Sequence, residues 1–300
     1  MASLCWEGGG AKGAFGVKFL FELKNYYKEL NFKALSGSSV GGINIIPLSF
    51  GGFEYLYSMW VEIKDYRNFI YYEPLKLKYN IKNLNKLIDE VIKEQDLFQK
   101  FMKSDSLTLI VSIIKDNGPL IFTNKDMFIK DVKFKKIENE EDLKHAIFGT
   151  SAIPKIFPEV KYNGMTLLDG GVKYTLPLDF LIESSKDDKI LAIIHEPLKK
   201  YKINPLYFLI SPINYIVEKY TQNLTFKEID KFETIDENIF RYRNRMIFLI
   251  YPENRLPFAL DFSSKAIEKN FIEAEKVFDK LKDKLLDFLK FWNCYHFNYN

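Results

Sequence analysis

The sequence predicts an α/β fold. Two successive strand–loop–helix units open the chain, each turning on glycines. Three later apolar runs, Leu107 to Ile114, Lys189 to Ile194 and Arg245 to Tyr251, are continuous, as expected of strands buried on both faces. With 47% apolar residues in 300, the chain can bury a large core.

Ala2 to Trp6 reads as a short buried strand, and Glu7 to Gly16 follow as a glycine-rich loop. Val17, Phe19, Leu20 and Leu23 then recur at helical spacing, with an end near Leu30. Gly8, Gly10 and Gly13 satisfy G-x-G-x-x-G, a pattern that a dinucleotide fold uses. That fold wants an acid about 20 positions on, closing the second strand, to hold a ribose hydroxyl. The second strand, Phe32 to Ser36, carries none there. The other use of such a loop is an oxyanion hole. Gly8, Gly9, Gly10, Ala11, Lys12 and Gly13 leave backbone N–H groups bare beside a bound carbonyl. Each fixed donor of this kind is worth about 3–4 kcal/mol to a tetrahedral intermediate. Lys12 either adds positive charge near that hole or is a solvated lysine on the first helical turn.

The second unit carries Gly37-Ser38-Ser39-Val40-Gly41, a G-x-S-x-G between a strand and a helical pattern of Ile43, Ile45 and Ile46. Small flanking residues let the chain double back, so Ser39 is held clear of the backbone at the start of a helix. There the helix dipole and free N–H groups favour developing negative charge. Alone, the pattern is equally a glycine- and serine-rich turn.

Gly51 to Trp60 closes this unit. Tyr66 to Tyr79 interleaves aromatics and lysines, either as a surface meeting lipid headgroups or as half-buried packing. Leu84, Leu87, Ile88, Val91 and Ile92 give an amphipathic helix. After the strand Leu107 to Ile114, Asn117-Gly118 marks a turn and Leu120 to Thr123 pairs back. Leu143 to Phe148 reads as helix, ended by the prolines of Ser151-Ala152-Ile153-Pro154 and Pro158. Met165 to Leu168 is a short strand running into Asp169-Gly170-Gly171. This is either a hairpin turn or a base carried on a strand tip. The strand from Lys189 ends at His195, Pro212 to Tyr220 reads as helix, and Ser264 to Phe291 is a long helix. Its stripe of Ile267, Phe271, Ala274, Phe278, Leu281 and Leu285 and its mixed charges mark a core-packing helix rather than a membrane-surface one.

Composition excludes several classes. A net charge of +3 lacks the dense basic patch of a nucleic-acid binder. Cys5 and Cys294 form no disulfide framework or metal spacing. No basic leader precedes an apolar stretch, and no apolar run reaches the ~20 residues of a transmembrane helix. The chain reads as a soluble cytoplasmic protein.

In order and placement, the glycine loop Gly8 to Gly13, the elbow around Ser39, Ser151-Ala152-Ile153-Pro154 and Asp169-Gly170-Gly171 resemble the patatin-like phospholipase family. Ile250-Tyr251-Pro252-Glu253 is similar too, less specifically. The resemblance implies a three-layer α/β/α fold with a central, largely parallel sheet. It implies one domain over residues 1–290, with an insertion around 66–103 and an aromatic tail at 291–300. It implies a Ser39–Asp169 dyad without histidine: Ser39 as nucleophile, Asp169 as general base and Gly8 to Gly13 as oxyanion hole. The substrates implied are membrane phospholipids or related acyl lipids, met peripherally at a membrane surface, with no metal or cofactor. Activation by a protein or small molecule is left open.

The residues raise one further alternative. A carboxylate near pKa 4 is a weak base for a serine hydroxyl unless burial raises it, and a histidine is better matched. Of His145, His195 and His296, His195 follows a strand, and the order Ser39, Asp169, His195 is that of an α/β-hydrolase triad. A triad esterase or thioesterase therefore stands beside the dyad, as does a catalytically silent lipid-binding protein on the same fold.

Overall fold

A computed structural model describes residues 2–62, 71–73, 78–80, 86, 88, 91–92, 96–199 and 201–291. Strand β1 (Ala2–Trp6) leads through a 3-10 turn at Gly10–Lys12 to α1 (Gly13–Tyr26). Then come β2 (Phe32–Ser38), α2 (Val40–Ser49), α3 (Phe53–Val61), the hairpin strands β3 (Tyr71–Glu73) and β4 (Lys78–Asn80), and α4 (Leu97–Met102). Strands β5 (Leu107–Ile114), β6 (Gly118–Thr123) and β7 (Lys133–Lys136) are followed by α5 (Glu140–Thr150), β8 (Val160–Tyr162) and β9 (Met165–Asp169). Next are α6 (Leu178–Ser184), β10 (Lys189–Ile193), α7 (Tyr207–Ile210) and α8 (Pro212–Ile229). Strands β11 (Glu233–Asp236), β12 (Ile239–Tyr242) and β13 (Arg245–Ile250) precede the last helix, α9 (Ser264–Phe291).

The main sheet runs β11-β12-β13-β10-β1-β2-β5-β6-β7. Its centre, β13-β10-β1-β2-β5, is all parallel. Parallel strands need covered faces, and the side-chain alternation of β1 supplies both. Leu4 and Trp6 enter one core with α1, α2, α3 and α9, while Cys5 enters a second core with Leu178 and Leu181 of α6. The result is three layers: helices, a largely parallel sheet, helices.

The long helix follows from its stripe. Ile267, Ala274, Phe278, Leu281 and Leu285 are buried, and Phe278 meets Phe19 of α1 edge-on at 5.7 Å. Burying each large apolar chain contributes roughly 1.5–3 kcal/mol. None of the described helices is long and apolar enough to cross a membrane.

Some elements extend or correct the sequence reading. The helix from Pro212 runs on to Ile229. The antiparallel pairs β11–β12 and β8–β9 and the edge strand β7 carry too little apolar alternation to stand out in the sequence. Of the predicted helix at Leu84 to Ile92, residues 86, 88, 91 and 92 are described, each as helix, while much of the Tyr66 to Tyr79 stretch and the tail beyond Phe291 lie outside the described residues.

The feature that builds the site is the edge of β5 opposite β6. Along it β2 pairs in parallel as far as Ser38 opposite Val111. At the next residue, β9 takes over, antiparallel, with Asp169 opposite Ser112. Two strands far apart in sequence thus end against each other on one partner.

Candidate active site

The elbow is a strained turn. Ser39 has φ 53° and ψ −130°, a left-handed conformation that a non-glycine residue rarely adopts and that costs about 1–3 kcal/mol. Its neighbours allow it. A Cβ on Gly37 would overlap the backbone of Gly41, and one on Gly41 would overlap the Trp6 carbonyl. The strain is held by a buried hydroxyl: Ser39 N–H donates to Thr150 Oγ1 at 2.9 Å, and Thr150 Oγ1 donates to the Val111 carbonyl at 2.6 Å. Ser38 is buried and donates to the Tyr174 carbonyl at 2.5 Å.

Ser39 Oγ donates to Asp169 Oδ2 at 2.7 Å. The other carboxylate oxygen accepts from Gly171 N–H at 2.6 Å, and Asp169 N–H donates to the Ala152 carbonyl at 2.9 Å. Asp169 therefore caps a 3-10 turn at Gly170–Val172 instead of opening a hairpin. Gly170 is required there, because a Cβ would strike the Val111 carbonyl. Asp169 is 3% exposed, and burial pushes its carboxyl up to about 7 against the pull of the Ser39 and Gly171 hydrogen bonds. Raised this far, the carboxyl is a stronger base than a free aspartate.

The glycine loop passes directly over Ser39: a Cβ on Gly8 would sit 3.2 Å from Ser39 Cβ. Most of its N–H groups are committed. Gly8 N–H donates to Thr175 O at 2.9 Å, Ala11 N–H to Ala259 O at 2.7 Å and Lys12 N–H to Gly9 O at 3.2 Å. Gly13 N–H returns to the Gly10 carbonyl. Among the described residues, the N–H groups of Gly9 and Gly10 have no partner. These two are the donors the loop leaves open. Gly10 holds φ 55° with its Cα against the Ala259 carbonyl, a place closed to any side chain. Val40 N–H, in the first turn of α2, has no i−4 carbonyl within the helix.

His195 does not reach Ser39. Its Nδ1 lies 3.1 Å from the Gly8 carbonyl, and its Nε2 accepts from Trp6 Nε1–H at 3.3 Å. This network assigns the tautomer: Nδ1–H donates to Gly8 and Nε2 is occupied. Burial, with the Lys12 ammonium adding to it, pushes the imidazole down to about 3, so the ring is neutral. It braces the glycine loop from behind. His145 on α5 lies by the Glu141 carbonyl, and His296 is outside the described residues.

Lys12 corrects both of its sequence readings. It is neither solvated nor aimed at the oxyanion site, but buried between Glu196 Oε1 at 2.6 Å and Glu218 Oε2 at 2.7 Å. Burial would lower its ammonium; the two carboxylates overcome this and hold it above the usual lysine value. Glu218 also accepts from Ala259 N–H at 2.9 Å, and Ala259 O holds Ala11, so the ion pair fastens the loop to α8. Beside it lies Glu7, also unforeseen. It accepts from His195 N–H at 2.7 Å and from the hydroxyl of Thr225, and burial pushes its carboxyl up to about 8.

Two cavities meet at Ser39. One of about 680 Å³ runs between α2, α3 and α5, walled by apolar groups such as Ile43, Ile46, Leu56, Trp60 and Phe262, with Lys144, His145 and Lys161 at its far rim. The other, about 210 Å³, holds Gly8, Gly9, Gly10 and Asp169 and is walled by Ile216, Val217 and Tyr220 of α8. Ile153 borders both.

A family model matches this chain, and two known proteins are more distantly similar to it. The model of the patatin-like phospholipase family matches residues 4–182, which carry the glycine loop, the elbow and Asp169. An uncharacterized protein, L620, of Acanthamoeba polyphaga mimivirus is 26% identical, over 60% of this chain and 63% of its own length. The match thus spans under two thirds of that relative. VipD from Legionella pneumophila, a crystal structure, aligns over 93% of this chain and 67% of its own, with 10% identity and a TM-score of 0.42. Such a score marks only a coarse likeness of shape. The family model covers more than half of the chain and spans each motif built above, and on that ground the chain belongs to the patatin-like phospholipase family.

Proposed function

We propose that the protein is a serine lipid acyl hydrolase of phospholipase A type, cleaving carboxylic esters of phospholipids with Ser39 and Asp169. The observation that carries this reading is the 2.7 Å hydrogen bond from Ser39 Oγ to a buried carboxylate of raised pKa. A base poised near the working pH combines a large deprotonated fraction with real basicity.

In the first half-reaction, the Ser39 hydroxyl proton passes to Asp169 Oδ2 as Oγ bonds to the ester carbon. Negative charge on the carbonyl oxygen is met by the open N–H groups of Gly9 and Gly10 and by the first turn of α2. The intermediate collapses, the ester C–O bond breaks, and the leaving alkoxide takes the proton from Asp169. Acyl-Ser39 is left, with its chain in the large apolar cavity. Water then loses a proton to Asp169, attacks the acyl carbon and releases the fatty acid, and the proton returns to Ser39. The charges balance at every step with one carboxylate cycling between its two forms.

A triad has less support, because both nitrogens of His195 are engaged away from Ser39. The test is fatty-acid release from mixed phospholipid vesicles in the presence of chelator, with labelling by a fluorophosphonate probe. Wild type is expected to release fatty acid and to be labelled at Ser39; Ser39→Ala should do neither, and Asp169→Asn should be inert on vesicles. A wild-type protein that takes no label and releases no fatty acid would overturn the reading in favour of a silent lipid-binding fold.

A further inference from the structure

The outer surface of α7 and the first half of α8 differs from the rest of the molecule. Ten large apolar side chains are exposed among the described residues, and five fall between positions 206 and 220. They are Leu206 at 63%, Phe208 at 48%, Leu209 at 78%, Ile216 at 57% and Tyr220 at 47%. Apolar groups scattered singly over a surface mean nothing, but a cluster marks a surface that meets something.

Charge in this stretch is one-sided. From Pro197 to Lys227 the sole carboxylate is Glu218, and it is buried on Lys12. Lys199, Lys202 and Lys219 are exposed in the same stretch. The exposed face of α9 is built differently, with Lys276 and Lys280 on Glu253 and Lys282 on Asp279. The patch is also continuous with the candidate site. Ile216 and Tyr220 wall the small cavity that holds Ser39 and Asp169, and Tyr220 Oη donates to the Val172 carbonyl at 2.6 Å beside Gly171.

We propose that this face seats the protein on an anionic lipid bilayer, with Leu206, Phe208 and Leu209 entering the headgroup region and the lysines meeting lipid phosphates. The mouth of the cleft beside Ile216 and Tyr220 then faces the membrane. This deepens, and for its purpose rests on, the acyl-hydrolase reading: Ser39 is only 8% exposed, so an ester has to enter the cleft to reach it, and a mouth on the bilayer shortens that path for a lipid. Exposed apolar side chains interspersed with lysines, with no exposed acid from Pro197 to Lys227, follow the pattern of interfacial binding. The core of a protein–protein interface is instead depleted in lysine.

The experiment measures co-sedimentation with vesicles of phosphatidylcholine alone and of equimolar phosphatidylcholine and phosphatidylglycerol, for wild type, Leu206→Asp/Leu209→Asp and Lys202→Glu. Hydrolysis of a water-soluble short-chain ester is followed in parallel. None of the three altered residues lines a cavity. Wild type should prefer the anionic vesicles and detach as salt is raised; the double variant should bind roughly tenfold or more weakly, and Lys202→Glu several-fold. Soluble-ester hydrolysis should be unchanged in both variants, which also reports that they are folded. Equal vesicle binding by wild type and the double variant overturns the proposal. So does wild-type self-association that the double variant abolishes with no change in vesicle binding. Ester hydrolysis without vesicle binding refutes docking and spares the hydrolase reading; vesicle binding through these residues by a protein inert on every ester does the reverse.

Discussion

Replacing His195 separates a brace from a base. In the structure its Nδ1–H holds the Gly8 carbonyl, and the N–H at the other end of that peptide belongs to Gly9. The peptide is planar and trans, so fixing its carbonyl on one side directs the Gly9 N–H to the other. Leucine at 195 removes the donor and leaves two buried groups unpaired, the Gly8 carbonyl and Trp6 Nε1–H. Each costs about 1–3 kcal/mol, so stability should fall by roughly 2–6 kcal/mol. If the released peptide rotates, one oxyanion donor is lost, which is worth about 10²–10³ in kcat. His195→Asn keeps an N–H near the position of Nδ1 and orphans only Trp6; it should fold with about half that penalty and retain most of its kcat. The assay is steady-state hydrolysis of a soluble ester across pH, with thermal melts of each variant. The apparent pKa of the rising limb should stay the same in all active variants, because Asp169 is untouched. A His195→Asn protein that melts normally but has lost as much kcat as the leucine variant would refute the brace and restore the triad.

Asp169 ties activity and stability to the same window in opposite senses. kcat/KM should rise with pH through an apparent value near 7, as the buried carboxylate gains its charge. Since the folded carboxyl titrates above its unfolded value, the folded state binds the extra proton between about pH 4 and 7. Stability relative to Asp169→Asn should therefore fall across that range by up to about 4 kcal/mol, read from denaturant melts at several pH values. Lys12→Met should strand Glu196 and Glu218 in the interior; chemical denaturation is expected to show a loss of about 3–5 kcal/mol at pH 7. A variant as stable as wild type would mean that the pair does not fasten the loop to α8.

What the sequence revealed of this site was whatever is written locally. Ser39 announces itself because the turn it occupies needs Gly37 and Gly41 at fixed offsets. Asp169 does so because an acid before two glycines at a strand end has few uses. The supporting residues do not. Thr150 matters because α5 ends over β5, Glu7 because Thr225 and His195 N–H arrive from elsewhere, and Lys12 because carboxylates 184 and 206 positions away converge on it. Their roles are set by sheet order and register, which no single stretch encodes. His195 shows the same limit from the other side: its place in the chain fits a triad, and only Trp6 and Gly8 reveal which way its nitrogens face. The parallel core and the α9 stripe were legible because strong apolar periodicity fixes a buried face. The short polar pair β11–β12 lacks that periodicity.

The shared edge of β5 also bears on how such a protein diversifies. The places of Ser39 and Asp169 are set by where two strands stop on one neighbour, not by the length of chain joining them. Lengthening a surface connection costs little, about 0.6 kcal/mol for each doubling. Ile88, Val91 and Ile92, between α3 and β5, wall the large cavity, so a change there reshapes that wall while the two strand ends stay on β5. A graft between relatives at that segment is expected to change substrate choice while Ser39 and Asp169 keep their spacing.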